Sequence, residues 1–157
     1  LTGLLNRRGL EAAADALDGK DMPLAVYLFD LDNLKHINDT FGHMRGDQTI
    51  SAFAELLREQ TRESDILSRF GGDEFVVIMK QMKSGESAVK KGEDICWSIC
   101  EYPFADNVRA CCSAGVVIWD TRKPLPAILE YADQALYRAK AENKGGCCMW
   151  EDGYEYP

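Results

Sequence analysis

The sequence predicts an α+β fold in which helices cover a mixed sheet. Three observations carry this. The run Leu24–Phe29 is continuously apolar, as in a strand buried on both faces. Two strand-like runs, 65–70 and 75–79, flank Gly71-Gly72, which predicts a hairpin with a tight two-residue turn at positive φ. Between these runs lie segments whose apolar residues recur at i, i+3, i+4 and i+7, the period of an amphipathic helix.

The elements follow in order. Asn6 is placed to cap a helix with Leu10, Ala13, Ala14 and Leu17 on one face and Gly19 at its end. The strand after Pro23 ends on Asp30-Leu31-Asp32. A short helical stretch comes next, and Gly46 opens a long helix striped by Ile50, Phe53, Ala54 and Leu57. After the hairpin, residues 84–102 read as a helix and 108–119 as a strand. Pro124 and Pro126 suit a helix start, with Leu125, Ile128, Leu129, Ala132, Leu136 and Ala139 on one face. Gly145-Gly146 breaks this helix before a short strand at 147–150. The order is α-β-α-α-β-β-α-β-α-β, without repeats, linkers or low-complexity segments.

The chain has 157 residues, 46% hydrophobic and 28% charged, which suits one domain with an ordinary core. Its net charge of −8 disfavours a nucleic acid polymer, which needs a basic surface, but leaves room for a mononucleotide. No apolar run approaches the roughly 20 residues that span a bilayer, and no signal peptide is visible. The chain opens on Leu1 without a Met, which reads as one domain, 1–157, excised from a longer protein. The domain is expected in the cytoplasm, whether or not its parent is membrane-anchored. Six cysteines include two adjacent pairs and no CxxC spacing; they read as small residues in a reducing compartment. Cys96 and Cys100, i and i+4 on a helix, are a weaker candidate for metal ligation.

Chemistry concentrates at two acidic pairs. Asp30 and Asp32, two apart at a strand end, can point to one side. Asp73 and Glu74 stand directly before the apolar run 75–79. Carboxylates bordering buried strands are costly unless a cation pairs with them. Hard oxygen ligands favour Mg²⁺ or Mn²⁺, ions that also bind substrate phosphates. Lys35, and Lys140 with Lys144 at i, i+4, supply positive charge for such phosphates.

Gly71-Gly72-Asp73-Glu74-Phe75 resembles the signature of the GGDEF family, the diguanylate cyclase domains. Three further blocks resemble that family in order: Leu1-Thr2-Gly3-Leu4-Leu5-Asn6-Arg7-Arg8, the segment Asp30 to Asp39 with Phe41-Gly42-His43 and Gly46-Asp47, and Ala132 to Lys140. The resemblance covers essentially the whole chain. It implies a largely antiparallel five-stranded sheet similar to nucleotidyl cyclase and palm-type domains. It implies condensation of two GTP into cyclic di-GMP at the interface of a homodimer. By resemblance, Asp30, the Leu31 carbonyl and Asp73 hold the metal, Asp73 activates the attacking 3′-hydroxyl, and Glu74 supports it. Lys35, Lys140 and Lys144 neutralise phosphates, and backbone N–H groups of the turn from Leu31 to Lys35 add donors. Asn38 and Asp47 read guanine.

Arg62-Glu63-Ser64-Asp65 resembles the family's inhibitory RxxD motif, where cyclic di-GMP binds as a feedback inhibitor. Upstream sensor or receiver domains are expected in the full-length protein. Asn33, Leu34 and Lys144 depart from the family pattern; the first two bear on the floor of the phosphate turn. His36 and His43 receive no catalytic role, and His43 is expected to pack or hydrogen-bond at the Gly42 turn. Two alternatives stay open: a catalytically silent receptor for cyclic di-GMP or GTP, and a cyclase with a mixed GMP–AMP product. Asp47 argues against the second, because adenine would leave its carboxylate unpaired.

Overall fold

The computed structural model describes residues 1–119, 123–142 and 145–153. Ten principal elements occur in the expected order. They are α1 (Arg7–Asp15), β1 (Leu24–Leu31), α2 (Leu34–Phe41), α3 (His43–Gln60), β2 (Ile66–Arg69), β3 (Glu74–Met79), α4 (Gly85–Cys100), β4 (Cys112–Trp119), α5 (Leu125–Glu142) and β5 (Cys147–Met149). The strands form one sheet in the order β2-β3-β1-β4-β5, antiparallel except for the parallel β4–β5 pair.

β1 is central, and helices cover it on both sides, which is why its sequence does not alternate. Tyr27 and Phe29 face Phe53 of α3 and Ile95 and Ile99 of α4. Val26 and Leu28 face Leu10 of α1 and Ile128, Ala132 and Leu136 of α5. Ring contacts run through the first core, with Phe53 edge-on to both Phe29 and Phe75 at 5.7 and 4.9 Å between centroids. Asn6 caps α1 as expected, accepting from the Gly9 N–H at 2.9 Å.

Several boundaries differ from the sequence expectation. α1 stops at Asp15, and Gly19 instead begins a 3₁₀ turn capped by Asp18. α3 begins at His43, directly after Gly42 at φ 91, so Gly46 lies inside the helix. There a Cβ would sit 1.8 Å from Asn38 Oδ1, so the glycine serves the close packing of α2 on α3. The β2–β3 connection is four residues long, 70–73, and neither Gly71 nor Gly72 has positive φ. The Glu74 carbonyl accepts from both Phe70 N–H and Gly71 N–H, which widens the turn. A Cβ at Gly71 would lie 2.8 Å from Glu74 Oε1, the movable end of that side chain, so Gly71 lets the Glu74 carboxylate lie close over the turn.

Candidate active site at the acidic end of the sheet

The N-terminal block straps the hairpin in place. Leu5 N–H donates to the Leu67 carbonyl and Arg69 N–H donates to the Leu5 carbonyl, adding a short bridge beside β2. Arg7 stacks on the Phe70 ring at 3.9 Å and donates to its carbonyl at 3.1 Å. Arg69 donates to the Gly72 carbonyl at 2.8 Å. The loop carrying Asp73 is thereby tied down from both sides. Leu31 N–H then donates to the Asp73 carbonyl at 3.0 Å, which binds the loop to the end of β1.

Three acids and a lysine meet there. Asp30, near the end of β1, and Asp32, just after it, both reach Lys140 of α5. Lys140 ion-pairs with Asp30, and its Nζ lies 3.9 Å from Asp32 Oδ1. Burial pushes the Asp30 carboxyl up to about 6; the Lys140 ammonium opposes that shift and the neighbouring Asp73 carboxylate adds to it. Burial disfavours the Lys140 charge, yet Asp30, Asp32 and Asp73 outweigh it and raise the lysine's pKa. Asp32 Oδ2 accepts from the buried Ser113 hydroxyl at 2.7 Å. Asp30 Oδ1 and Asp32 Oδ1 are buried with no hydrogen-bond partner.

Buried acceptor atoms without donors are rare and invite a cation. The donor set fits a divalent metal: hard carboxylate oxygens of Asp30 and Asp73 held together against their mutual repulsion, next to a strand end. Among the described residues, no three His, Cys, Asp or Glu side chains converge on one metal position. A site of two carboxylates and a backbone carbonyl remains compatible with that. Glu74 stands opposite Asp30 in the β1–β3 register, but its carboxylate folds back over Gly71.

The other expected residues are distributed around this end. Lys35 is exposed on the first turn of α2, whose opening N–H groups have no partner within the helix. Two donors of the preceding turn are already used: Leu31 N–H by Asp73, and Asp32 N–H by the Cys111 carbonyl. Asn38 packs on Gly46, the residue before Asp47 in α3, and Asp47 is exposed beside a groove of about 640 Å³ that Asn38 does not line. Lys144 lies outside the described residues. His43 is exposed at the start of α3.

Two departures from the family pattern have structural roles. Leu34 is in the core. Asn33 donates to the Arg109 carbonyl at 2.6 Å and accepts from Cys111 N–H at 2.9 Å, so it clamps the turn to the approach of β4. Cys96 is buried and Cys100 half-buried on α4.

Arg62 and Asp65 are also brought together, although Asp65 is nearly spent. Its side chain is 2% exposed, and its two oxygens accept from Arg62 N–H at 2.9 Å and Lys80 N–H at 3.0 Å. Arg62 donates to the Lys80 carbonyl and keeps about half of its side chain exposed.

The model of the family described as "Diguanylate cyclase, GGDEF domain" matches residues 1–146. The chain belongs to the GGDEF family. It is 40% identical over 149 residues to the diguanylate cyclase DgcP of Pseudomonas aeruginosa, covering 89% of this chain and 22% of that protein. With DgcZ of Escherichia coli it shares 32% identity over 157 residues, covering 97% of this chain and 53% of that one. The structure of the active GGEEF domain of a Vibrio cholerae diguanylate cyclase superposes with a TM-score of 0.84 at 31% identity, covering 96% of this chain and 99% of that one. The chain spans between about a fifth and a half of the length of the curated relatives it matches first. The sequence expectation of an α+β fold with a five-stranded, largely antiparallel sheet holds. No helix among the described residues is long and apolar enough to cross a membrane.

Proposed function

We propose that this chain condenses two molecules of GTP into cyclic di-GMP with release of two pyrophosphates. The observation that carries the reading is the pairing of Lys140 with Asp30 and Asp32 beside Asp73, with two buried carboxylate oxygens left without donors. Family membership supports it, as do the relatives named diguanylate cyclase.

Asp30, the Leu31 carbonyl and Asp73 would hold Mg²⁺ or Mn²⁺. The metal supplies charge neutralisation at the phosphates and lowers the cost of deprotonating the attacking hydroxyl. Asp73, in the tied-down loop, stands where the 3′-hydroxyl of one GTP faces the α-phosphate of the other and receives its proton. Glu74 supports that loop. Lys140 leaves Asp30 for the incoming triphosphate, and Lys35 adds to the positive charge there, a role the family resemblance also gives to Lys144. Asn38 and Asp47 bind guanine: the carboxylate accepts from N1–H and the 2-amino group, which adenine cannot match. Each chain carries half of the reacting pair, so a homodimer is required for turnover. Product feedback would act through the exposed Arg62, with Asp65 holding the turn in shape. GTP as substrate suits a cytoplasmic domain under an upstream sensor or receiver domain.

The test is incubation of the chain, fused to a dimerising coiled coil, with GTP and Mg²⁺, followed by chromatography. Cyclic di-GMP is expected. A dimer that binds GTP and makes no product would overturn the enzymatic reading in favour of a silent receptor.

A further inference from the structure

We propose that Ser113 is a positioning residue that fixes the phosphate-binding end of α5 against the acidic strand end. The proposal rests on reading the Asp30–Asp73–Lys140 cluster as a nucleotide site. Ser113 stands in β4 directly opposite Asp30 of β1 and is fully buried. Its hydroxyl donates to Asp32 Oδ2 at 2.7 Å and accepts from Gly145 N–H at 3.0 Å. One side chain thus joins the end of β1 to the turn that follows α5. Gly145 has φ 87, a left-handed conformation, two residues before β5.

The same strand face carries a second fastening two residues on. A Cβ at Gly115 would lie 2.2 Å from the Ala132 carbonyl oxygen and 2.4 Å from Leu136 N. Gly115 therefore sets how closely α5 approaches the sheet, and Ser113 holds the turn beyond the helix. Lys140 lies between these two anchor points.

The hydroxyl also orients Asp32. With Oδ2 engaged by Ser113, Oδ1 is the oxygen nearer Lys140, at 3.9 Å from its Nζ. An alanine at 113 would pack in almost the same space. It would leave the buried Asp32 carboxylate and the Gly145 N–H without their shared partner, and the lysine would lose its fixed direction. A short hydrogen bond to a charged, buried acceptor is the kind whose loss is felt most.

The experiment compares wild type with Ser113→Ala, Ser113→Thr, Asp32→Ala and the double variant, all as coiled-coil-fused dimers. Calorimetry with Mg²⁺ and 3′-deoxy-GTP reads binding alone, because that nucleotide lacks the attacking hydroxyl. Ser113→Ala is expected to weaken binding and raise KM roughly tenfold while kcat falls less than about threefold. Thermal melting checks that each variant is folded. Ser113→Thr, which keeps the hydroxyl, should recover most of the affinity. In the Asp32→Ala background the serine change should add clearly less than it does alone, because only the Gly145 bond remains to be lost, whereas a role independent of Asp32 would add its full effect there. Wild-type affinity in a folded Ser113→Ala overturns the proposal alone. A wild type that neither binds nor turns over GTP overturns the nucleotide reading and this proposal with it.

Discussion

Two acidic regions of this molecule use the same kinds of side chain and leave them in opposite states. In the turn before β2, both oxygens of Asp65 accept backbone N–H groups, and Arg62 is folded onto the Lys80 carbonyl. At the end of β1, Asp30 and Asp32 each keep a buried oxygen with no donor, and Lys140 is shared between them. Asp65 is spent on holding the chain. The β1 acids are held by the chain, through Ser113 and the tied-down hairpin, without being used up. An aspartate stays available for a ligand where its neighbours orient it and stop short of satisfying it.

Substitutions should separate the two regions sharply. Asp73→Asn is expected to lower GTP turnover by at least about a hundredfold if the proposed reaction is right, because it removes a carboxylate from the proposed reacting centre. Its melting temperature should stay near that of wild type, since the change also relieves repulsion with Asp30. Asp65→Ala should do the reverse. Loss of two backbone hydrogen bonds to a buried carboxylate is expected to cost roughly 2–3 kcal/mol in urea unfolding. Turnover per folded molecule, measured at low product concentration, should change little. If Asp65→Ala abolished turnover without destabilising the chain, the contrast between the regions would collapse.

The fold was legible in the sequence because each of its elements carries a local signal. β1 shows an unbroken apolar run, α3 and α5 show their stripes, and Gly145-Gly146 separates α5 from β5. The acidic pairs were legible for a related reason: charges beside apolar strands contradict their surroundings. What escaped were bonds between distant segments. Nothing near Ser113, a small residue in an apolar strand, announces Asp32 or Gly145 as its partners. Gly46 reads as a helix opener because its true constraint, Asn38, lies on another helix. Gly71 reads as a residue for positive φ, whereas its φ is not positive and the Glu74 carboxylate lies against it. In each case the residue type was informative, and the partner that explains it was set by tertiary packing.

The acidic end should also reveal itself through pH. Asp30 titrates near 6 in the native state against 3.8 as its ordinary value. The native chain therefore holds an extra proton between roughly pH 4 and 6. Its contribution to stability is full below pH 4 and is lost as the pH rises through about 6. Metal-free protein should show this loss in urea midpoints taken across that range, and Asp30→Asn should flatten it. Added Mg²⁺ should also flatten it from above, because a bound cation favours the ionised carboxylate. A slope indifferent to both would mean that Asp30 is paired as completely as Asp65.

The smallest effect is expected at Asn33, where this chain departs from the family pattern. Its amide bonds Arg109 and Cys111, while Asp32 N–H donates to the Cys111 carbonyl, so the turn between β1 and α2 is laced to the segment before β4. Asn33→Ala should cost about 1–2 kcal/mol of stability, the sum of two modest hydrogen bonds at a partly buried position. The effect on function should be smaller than that of Ser113→Ala, because Asn33 braces the backbone of the turn and touches neither acid. A change of less than about threefold in KM for GTP is expected. Leu34 supports the same division of labour: its side chain is in the core, so the apolar requirement at the head of α2 is met by Leu34 and position 33 is free to carry a polar clamp. If Asn33→Ala weakened GTP binding more than Ser113→Ala did, the turn backbone would outrank the α5 lysine in holding the phosphates, and the N–H groups opening α2 would become the better candidate for that work.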